Sequence, residues 1–183
     1  MPSSHFHLIP TILATLGRYP EKRIIDLGCG SGKYGMLIKE YCSPTKLDAL
    51  EVHRDYINDV HFSVYNHVYM MDVMQFDFAK ETYDLYLVMN ILDHLTREDA
   101  ITLMEKIPGD MLVVVPQTWY QHDHEDIWEK HKSFWKREDF NELFGSRYRV
   151  EHIANPYEGQ LTDNIILIQK TNAAKQWNGT EWI

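Results

Sequence analysis

A chain of 183 residues, 44% hydrophobic and 13% aromatic, has enough apolar material for one globular core without a disulfide or metal staple. Its 27 acidic side chains outnumber 18 basic ones, giving a formal net charge of −9. That balance speaks against a sequence-independent grip on nucleic acid and against a basic membrane-surface helix. No apolar run approaches the length of a membrane span. Met1-Pro2-Ser3-Ser4-His5 lacks the basic region and long apolar run of a signal peptide. With only Cys29 and Cys42 present, a reducing compartment, the cytoplasm, is expected.

The elements follow from periodicity. Ile9, Ile12, Leu13 and Leu16 sit at helical spacing, and Gly17 and Pro20 stop the run, so residues 1–19 contain an N-terminal helix. Residues 23–27 (RIIDL) form a short strand that ends in glycines. Tyr34, Leu37, Ile38 and Tyr41 give a second helix, residues 46–52 a strand, and residues 67–72 another. Residues 83–89 read as a strand buried on both faces. Ala100, Leu103, Met104 and Ile107 mark a helix that Thr96 caps, with Asp99 at its third position. Residues 111–115 form a buried strand ended by Pro116. Phe140, Leu143 and Phe144 mark a helix closed by Gly145, and residues 148–153 and 164–169 form the last two strands. Residues 171–183 are a mostly polar tail.

Alternating strands and helices predict an α/β fold: one domain over residues 1–183, a doubly wound, mostly parallel seven-stranded sheet with helices on both faces. The final two strands have no helix between them and should form an antiparallel hairpin at the C-terminal edge. Ligands of such sheets bind beyond the carboxyl ends of the strands, where strand order reverses.

The first of those ends reads Asp26-Leu27-Gly28-Cys29-Gly30-Ser31-Gly32-Lys33-Tyr34-Gly35. Bare backbone leading into a helix amino end suits a nucleotide-like ligand. A phosphate-binding P-loop is set aside, because three residues rather than four separate Gly28 from Gly32 and Tyr34 replaces the magnesium-binding hydroxyl. Gly30-x-Gly32-x-x-Gly35 matches the dinucleotide pattern by letter, but starts two residues late. The third reading is Asp-x-Gly-x-Gly-x-Gly, from Asp26 to Gly32.

On this motif the chain resembles the class I, Rossmann-like S-adenosylmethionine-dependent methyltransferases over about residues 20–170. The resemblance implies a methyltransferase with S-adenosylmethionine as cofactor. It implies a cofactor site of Asp26, Gly28, Cys29, Gly30, Gly32, Glu51, Asp72, Val73 and Asn90. In the family the acid matching Asp26 helps hold the methionine part, and the acid matching Glu51 bonds both ribose hydroxyls. The acid matching Asp72 accepts from the adenine amino group, the N–H of Val73 bonds the ring, and Asn90 falls near the methionine ammonium. Asp93-His94-Leu95 resembles the acid–His–Leu run that often follows the fourth strand. An acid beside the glycine loop also repels a pyrophosphate and suits a cationic cofactor. Turn and cap roles compete for Asp26, Asp72 and Asn90 singly, and weaken jointly because all follow successive strands. Cys29 reads as a packing residue, with no base beside it.

The acceptor site is expected from the segments after the fourth and fifth strands and from the N-terminal helix. Residues 117–136 are aromatic, histidine-rich and too long for a simple connection, which marks a substrate lid. Gln117, Tyr120, His122, His124 and Trp135 are its substrate-binding candidates, and His94 and His131 the candidate bases. No metal is expected: adjacent residues in His122-Asp123-His124 point to opposite sides of an extended segment. Asn90-Ile91-Leu92-Asp93 lacks the prolines of amino-methylating nucleic-acid enzymes, and neither cysteine follows a proline as in cytosine-carbon enzymes. The expected partner is a small-molecule acceptor, with a protein side chain second, nucleic acid disfavoured and no membrane. An NAD-dependent oxidoreductase and a nonenzymatic S-adenosylmethionine-binding module are the alternatives.

Overall fold

The computed structural model describes residues 6–117, 125–154 and 163–170. Strands β1 (Arg23–Leu27), β2 (Lys46–Leu50), β3 (His67–Tyr69), β4 (Leu85–Met89), β5 (Asp110–Pro116), β6 (Arg149–Ile153) and β7 (Asp163–Gln169) form one sheet. Its order is β3-β2-β1-β4-β5-β7-β6. Strands β1 to β5 are parallel, and β7 runs antiparallel to both neighbours. The C-terminal hairpin is therefore at the edge as expected, but its second strand is inserted against β5 and its first forms the rim.

Side chains alternate faithfully between the two faces, as the pleat requires. Ile24, Leu85, Leu87, Leu112, Val114, Ile165 and Leu167 point to one face, where α1 (Ile9–Leu16), α2 (Lys33–Tyr41) and α3 (Asp59–Val64) cover them. Ile25, Leu27, Tyr86, Val88, Val113, Ile166 and Ile168 point to the other, under α4 (Arg97–Lys106) and α5 (Arg137–Phe144). With both faces covered, β4 and β5 are buried along their whole length, which explains their unbroken apolar runs.

Thr96 caps α4 as its sequence suggests, accepting from the Asp99 N–H at 3.1 Å. The second and third strands stop earlier than their apolar runs, at Leu50 and Tyr69, because Glu51 and Asp72 turn out of the sheet towards a cleft. Helix α3 has no long apolar stripe to announce it. Asn58 starts it, accepting from the Val60 N–H, while the Asn58 N–H donates to His61 Nδ1. Among the described residues no helix is long and apolar enough to cross a membrane.

Candidate active site

The order of the sheet reverses between β1 and β4, and a cleft opens there. The loop after β1 forms its floor. Gly28 has φ +66°, and a Cβ there would meet the Ile91 side chain at 3.0 Å, so a side chain at this position would strain the backbone and crowd the second loop. The loop is tied down from three directions. The Gly28 N–H donates to Leu50 O at 2.7 Å, the Gly30 N–H to Glu51 Oε2 at 2.8 Å, and His61 Nε2 to Gly30 O at 2.9 Å. Because His61 Nδ1 accepts from Asn58, the proton of this buried imidazole sits on Nε2.

Glu51 bridges two loops. Its second oxygen accepts from the His53 N–H at 2.8 Å, so the carboxylate is locked in place beside the cleft. Asp72 accepts from the Met74 N–H at 2.9 Å, capping a short 3₁₀ turn that sets Val73 into the wall. At the tip of β4, Asn90 has φ +52°, a left-handed conformation that turns the chain sharply away from the sheet.

Beyond Asn90 a 3₁₀ turn, Leu92–His94, carries Asp93 and His94. Residues 131–135 are strapped against it. The N–H groups of Lys132 and Ser133 donate to Asp93 O at 2.6 and 3.2 Å. Ser133 Oγ and Trp135 Nε1 donate to Leu92 O at 2.7 and 3.3 Å. His131 Nε2 is thereby held 3.2 Å from Asp93 Oδ2, and His94 Nε2 lies 3.7 Å from the same oxygen. Burial pushes the Asp93 carboxyl up to about 6, against the pull of His131, and burial pushes both imidazoles below the ordinary histidine value.

The segment just before this strap crosses the mouth of the cleft. His53 Nε2 donates to Asp126 Oδ2 at 2.8 Å and the Tyr56 hydroxyl donates to Glu129 Oε1, while Trp128 and Glu129 line the opening. Behind the floor, Asp26 is buried and accepts from the Tyr65 hydroxyl at 2.7 Å. Burial pushes its carboxyl up to about 7, opposed by the Tyr65 bond. Burial also raises the Cys29 thiol well above the usual range, away from reactivity.

Residues 24–108 match the family model described as a methyltransferase domain. Over these residues the chain is similar to a methyltransferase domain. No curated protein matches the sequence. Similar solved structures share the fold at low identity. The small RNA methyltransferase HEN1 superposes with a TM-score of 0.66 at 16% identity, over 93% of this chain and 26% of that one. This chain thus spans about a quarter of that protein. Magnesium protoporphyrin IX methyltransferase from Synechocystis PCC 6803, with bound S-adenosylmethionine, gives 0.62 at 13% identity, covering 93% of this chain and 86% of that one. The N-terminal domain of EvdMO1, in the presence of S-adenosylhomocysteine and D-fucose, gives 0.68 at 14%, covering 91% and 84%.

Within this fold, the cleft gathers Gly28, Gly30, Glu51, Asp72, Val73, Asn90 and His94. Asp26, Cys29 and Gly32 do not line it. Asp26 alternates to the α2–α3 face of β1, where Tyr65 takes its carboxylate, so any effect it has on a ligand passes through the loop. His131 stands behind His94. Trp135 is not a pocket wall: it is 1% exposed and packs with Phe140 in the core, its ring N–H used by Ser133 and Leu92. Gln117 lies in a separate shallow depression, donating to Asn164 Oδ1 at 3.3 Å. Tyr120, His122 and His124 fall outside the described residues. The sequence reading missed His53, Tyr56, His61, Tyr65, Trp128 and Glu129. Only His53, two residues past Glu51, carried a local signal.

Proposed function

We propose that this domain moves the methyl group of S-adenosylmethionine onto an O, N or C atom of a small-molecule acceptor. The observation that carries the reading is the convergence of the tips of β1, β2, β3 and β4 on one cleft, with Gly28, Glu51, Asp72 and Asn90 as their representatives.

The residues present fit the cofactor. Each Glu51 oxygen already takes one backbone N–H, and a carboxylate oxygen has about two lone-pair sites, so both keep one for the ribose diol. Asp72 and the Val73 N–H would take the adenine edge, between the apolar walls of Leu50, Val73 and Ile91. Gly28, Gly30 and Asn90 would face the methionine part. When bound, the cofactor supplies a methyl group on a sulfonium, already a good leaving group. What the chain does is align the acceptor and keep water out. The end of the cleft lined by His94, Leu95 and Trp128 would receive the acceptor, and the part of residues 117–136 that precedes the strap, with Trp128 and Glu129 at the opening, would act as the lid. A base is needed only where the acceptor carries a proton; His94 and His131 would serve where their ring nitrogens hold no metal ion.

Carboxylates Glu51, Asp72 and Glu129 line the cleft, and among its described lining residues there is no lysine or arginine. This favours a neutral or cationic small molecule over a phosphate polymer. Cys29 and Cys42 are unbridged, which suits a reducing, cytoplasmic setting. The whole chain, 1–183, is read as one such domain.

Calorimetry with S-adenosylhomocysteine and with NADH tests the cofactor assignment, and heat with NADH alone would refute it. Methyl transfer from labelled S-adenosylmethionine across a panel of small acceptors tests the reaction. Tight cofactor binding with no labelled product would point to a nonenzymatic module.

A further inference from the structure

We propose that Asp93, His94 and His131 form a binding site for one divalent transition-metal ion at the acceptor end of the cleft. One donor atom from each of these side chains lies within 4.8 Å of the others. Two donors about 2.1 Å from a shared ion stand roughly 3.0–3.4 Å apart when it is octahedral or tetrahedral. The pairs His131 Nε2–Asp93 Oδ2 at 3.2 Å and His94 Nε2–Asp93 Oδ2 at 3.7 Å are close to that spacing.

The second observation is what the carboxylate lacks. Asp93 is 2% exposed, yet among the described residues neither of its side-chain oxygens takes a well-aligned hydrogen bond. The neighbouring imidazole nitrogen is near enough in distance but not aligned to donate. A buried carboxylate without well-aligned donors is costly. Among the described residues its ion pairs are with the two imidazoles and with no lysine or arginine. The two rings stand edge to face, 84° apart with centroids at 5.0 Å, so their edges converge from different directions. A cation between them would satisfy the carboxylate.

The surrounding backbone holds this arrangement. The bonds from residues 132, 133 and 135 to the carbonyls of Leu92 and Asp93 fix the His131 segment to the turn carrying the other two donors. Two imidazoles and one carboxylate suit an ion of the zinc, cobalt, iron or manganese class better than magnesium or calcium, which prefer oxygen. Three protein ligands leave positions open, and His94, which lines the cleft, puts them on the acceptor side. There the ion would orient and polarise an acceptor oxygen. That last role rests on the methyltransferase reading; the binding of the ion does not.

The test is a titration of the chelator-stripped full chain with Co²⁺, followed by visible absorption and calorimetry, with Mg²⁺ as comparison. The expected result is one Co²⁺ per chain with ligand-field bands of a nitrogen-containing site, and at least a tenfold weaker response to Mg²⁺. Asp93→Asn, His94→Ala and His131→Ala should each weaken Co²⁺ at least tenfold. The variant His67→Gln, at an exposed position of β3, should bind as the parent does. Should the single variants fail to fold, paramagnetic broadening in the parent decides: it should be strongest at the His94 and His131 rings. No stoichiometric uptake, retention by all three variants, or broadening centred elsewhere would overturn the proposal. A parallel titration with S-adenosylhomocysteine separates the two readings. Cobalt uptake without nucleoside binding sinks the cofactor assignment alone, and nucleoside binding without cobalt uptake sinks this one alone.

Discussion

The Tyr65 hydroxyl reaches Asp26 Oδ2 at 2.7 Å by passing over the bare α-carbon of Gly35. A Cβ on Gly35 would stand 2.3 Å from the Tyr65 ring and 2.4 Å from its oxygen. The third glycine of the letter match to a dinucleotide fingerprint therefore serves helix α2 and its neighbour, and does not line the cleft. Gly35→Ala is expected to destabilise the fold by about 1–3 kcal/mol, the usual cost of overpacking. Tyr65→Phe should cost a similar amount by leaving Asp26 without its donor. Chemical denaturation of both variants checks this, and wild-type stability for Gly35→Ala would contradict the packing.

The Asp26 carboxyl titrates near 7 in the fold against 3.8 ordinarily, because it is buried. Between those values the native state holds a proton that the unfolded chain has released. Stability therefore falls as pH rises from about 4 to 7, and levels off above. Asp26→Asn keeps an acceptor for Tyr65 and removes the charge. It should match the parent below about pH 4 and exceed it at pH 8, by up to about 4 kcal/mol as an upper bound. Thermal melts across that range check the divergence; parallel curves would refute it.

Glu51→Ala should weaken S-adenosylhomocysteine binding by about 1–3 kcal/mol, since ribose hydroxyls would lose their acceptor in a buried site. It also frees the N–H groups of Gly30 and His53, so part of the loss should appear as a looser glycine loop. Calorimetry on Glu51→Ala beside Glu51→Gln measures it. Affinity unchanged in both would remove Glu51 from the site.

Residues 126–129 are clasped to the loop after β2 by His53–Asp126 and Tyr56–Glu129. The Asp126 hydrogen bond, and then the nearby acids, raise the His53 imidazole above its ordinary value. The clasp is therefore at full strength below about pH 6.5 and weakens as pH rises through the raised value. Nucleoside release should be faster at pH 9 than at pH 6. His53→Gln should flatten that dependence and speed release at pH 6 by about two- to fivefold, as a partly exposed ion pair allows. Stopped-flow dissociation checks both.

How much of this was legible in the chain depended on distance along it. The glycine loop, Glu51, Asp72, Val73 and Asn90 could be picked out because each follows its own strand, and the alternation of sheet and helix places strand tips together. The His53–Asp126 and Tyr56–Glu129 contacts each join residues 73 positions apart, and nothing local announces them. Helix α3 escaped because six residues starting Asp59-Val60-His61 carry no long stripe, and its Asn58 cap is visible only once a helix is assumed. Trp135 was misplaced for a different reason. Aromatic composition marks a segment as unusual without saying which ring turns inward. Here the indole found two buried acceptors, Ser133 Oγ and Leu92 O, and became core.

The insertion of β7 between β5 and β6 has a consequence for how the chain is made. Until residues 163–169 emerge from the ribosome, β5 presents an unpaired edge along Met111, Leu112, Val113, Val114 and Val115. Such an apolar edge is a template for pairing with another nascent chain. Truncation before Asp163 should therefore yield aggregates rather than a smaller folded product, because β6 docks only on a strand synthesised after it.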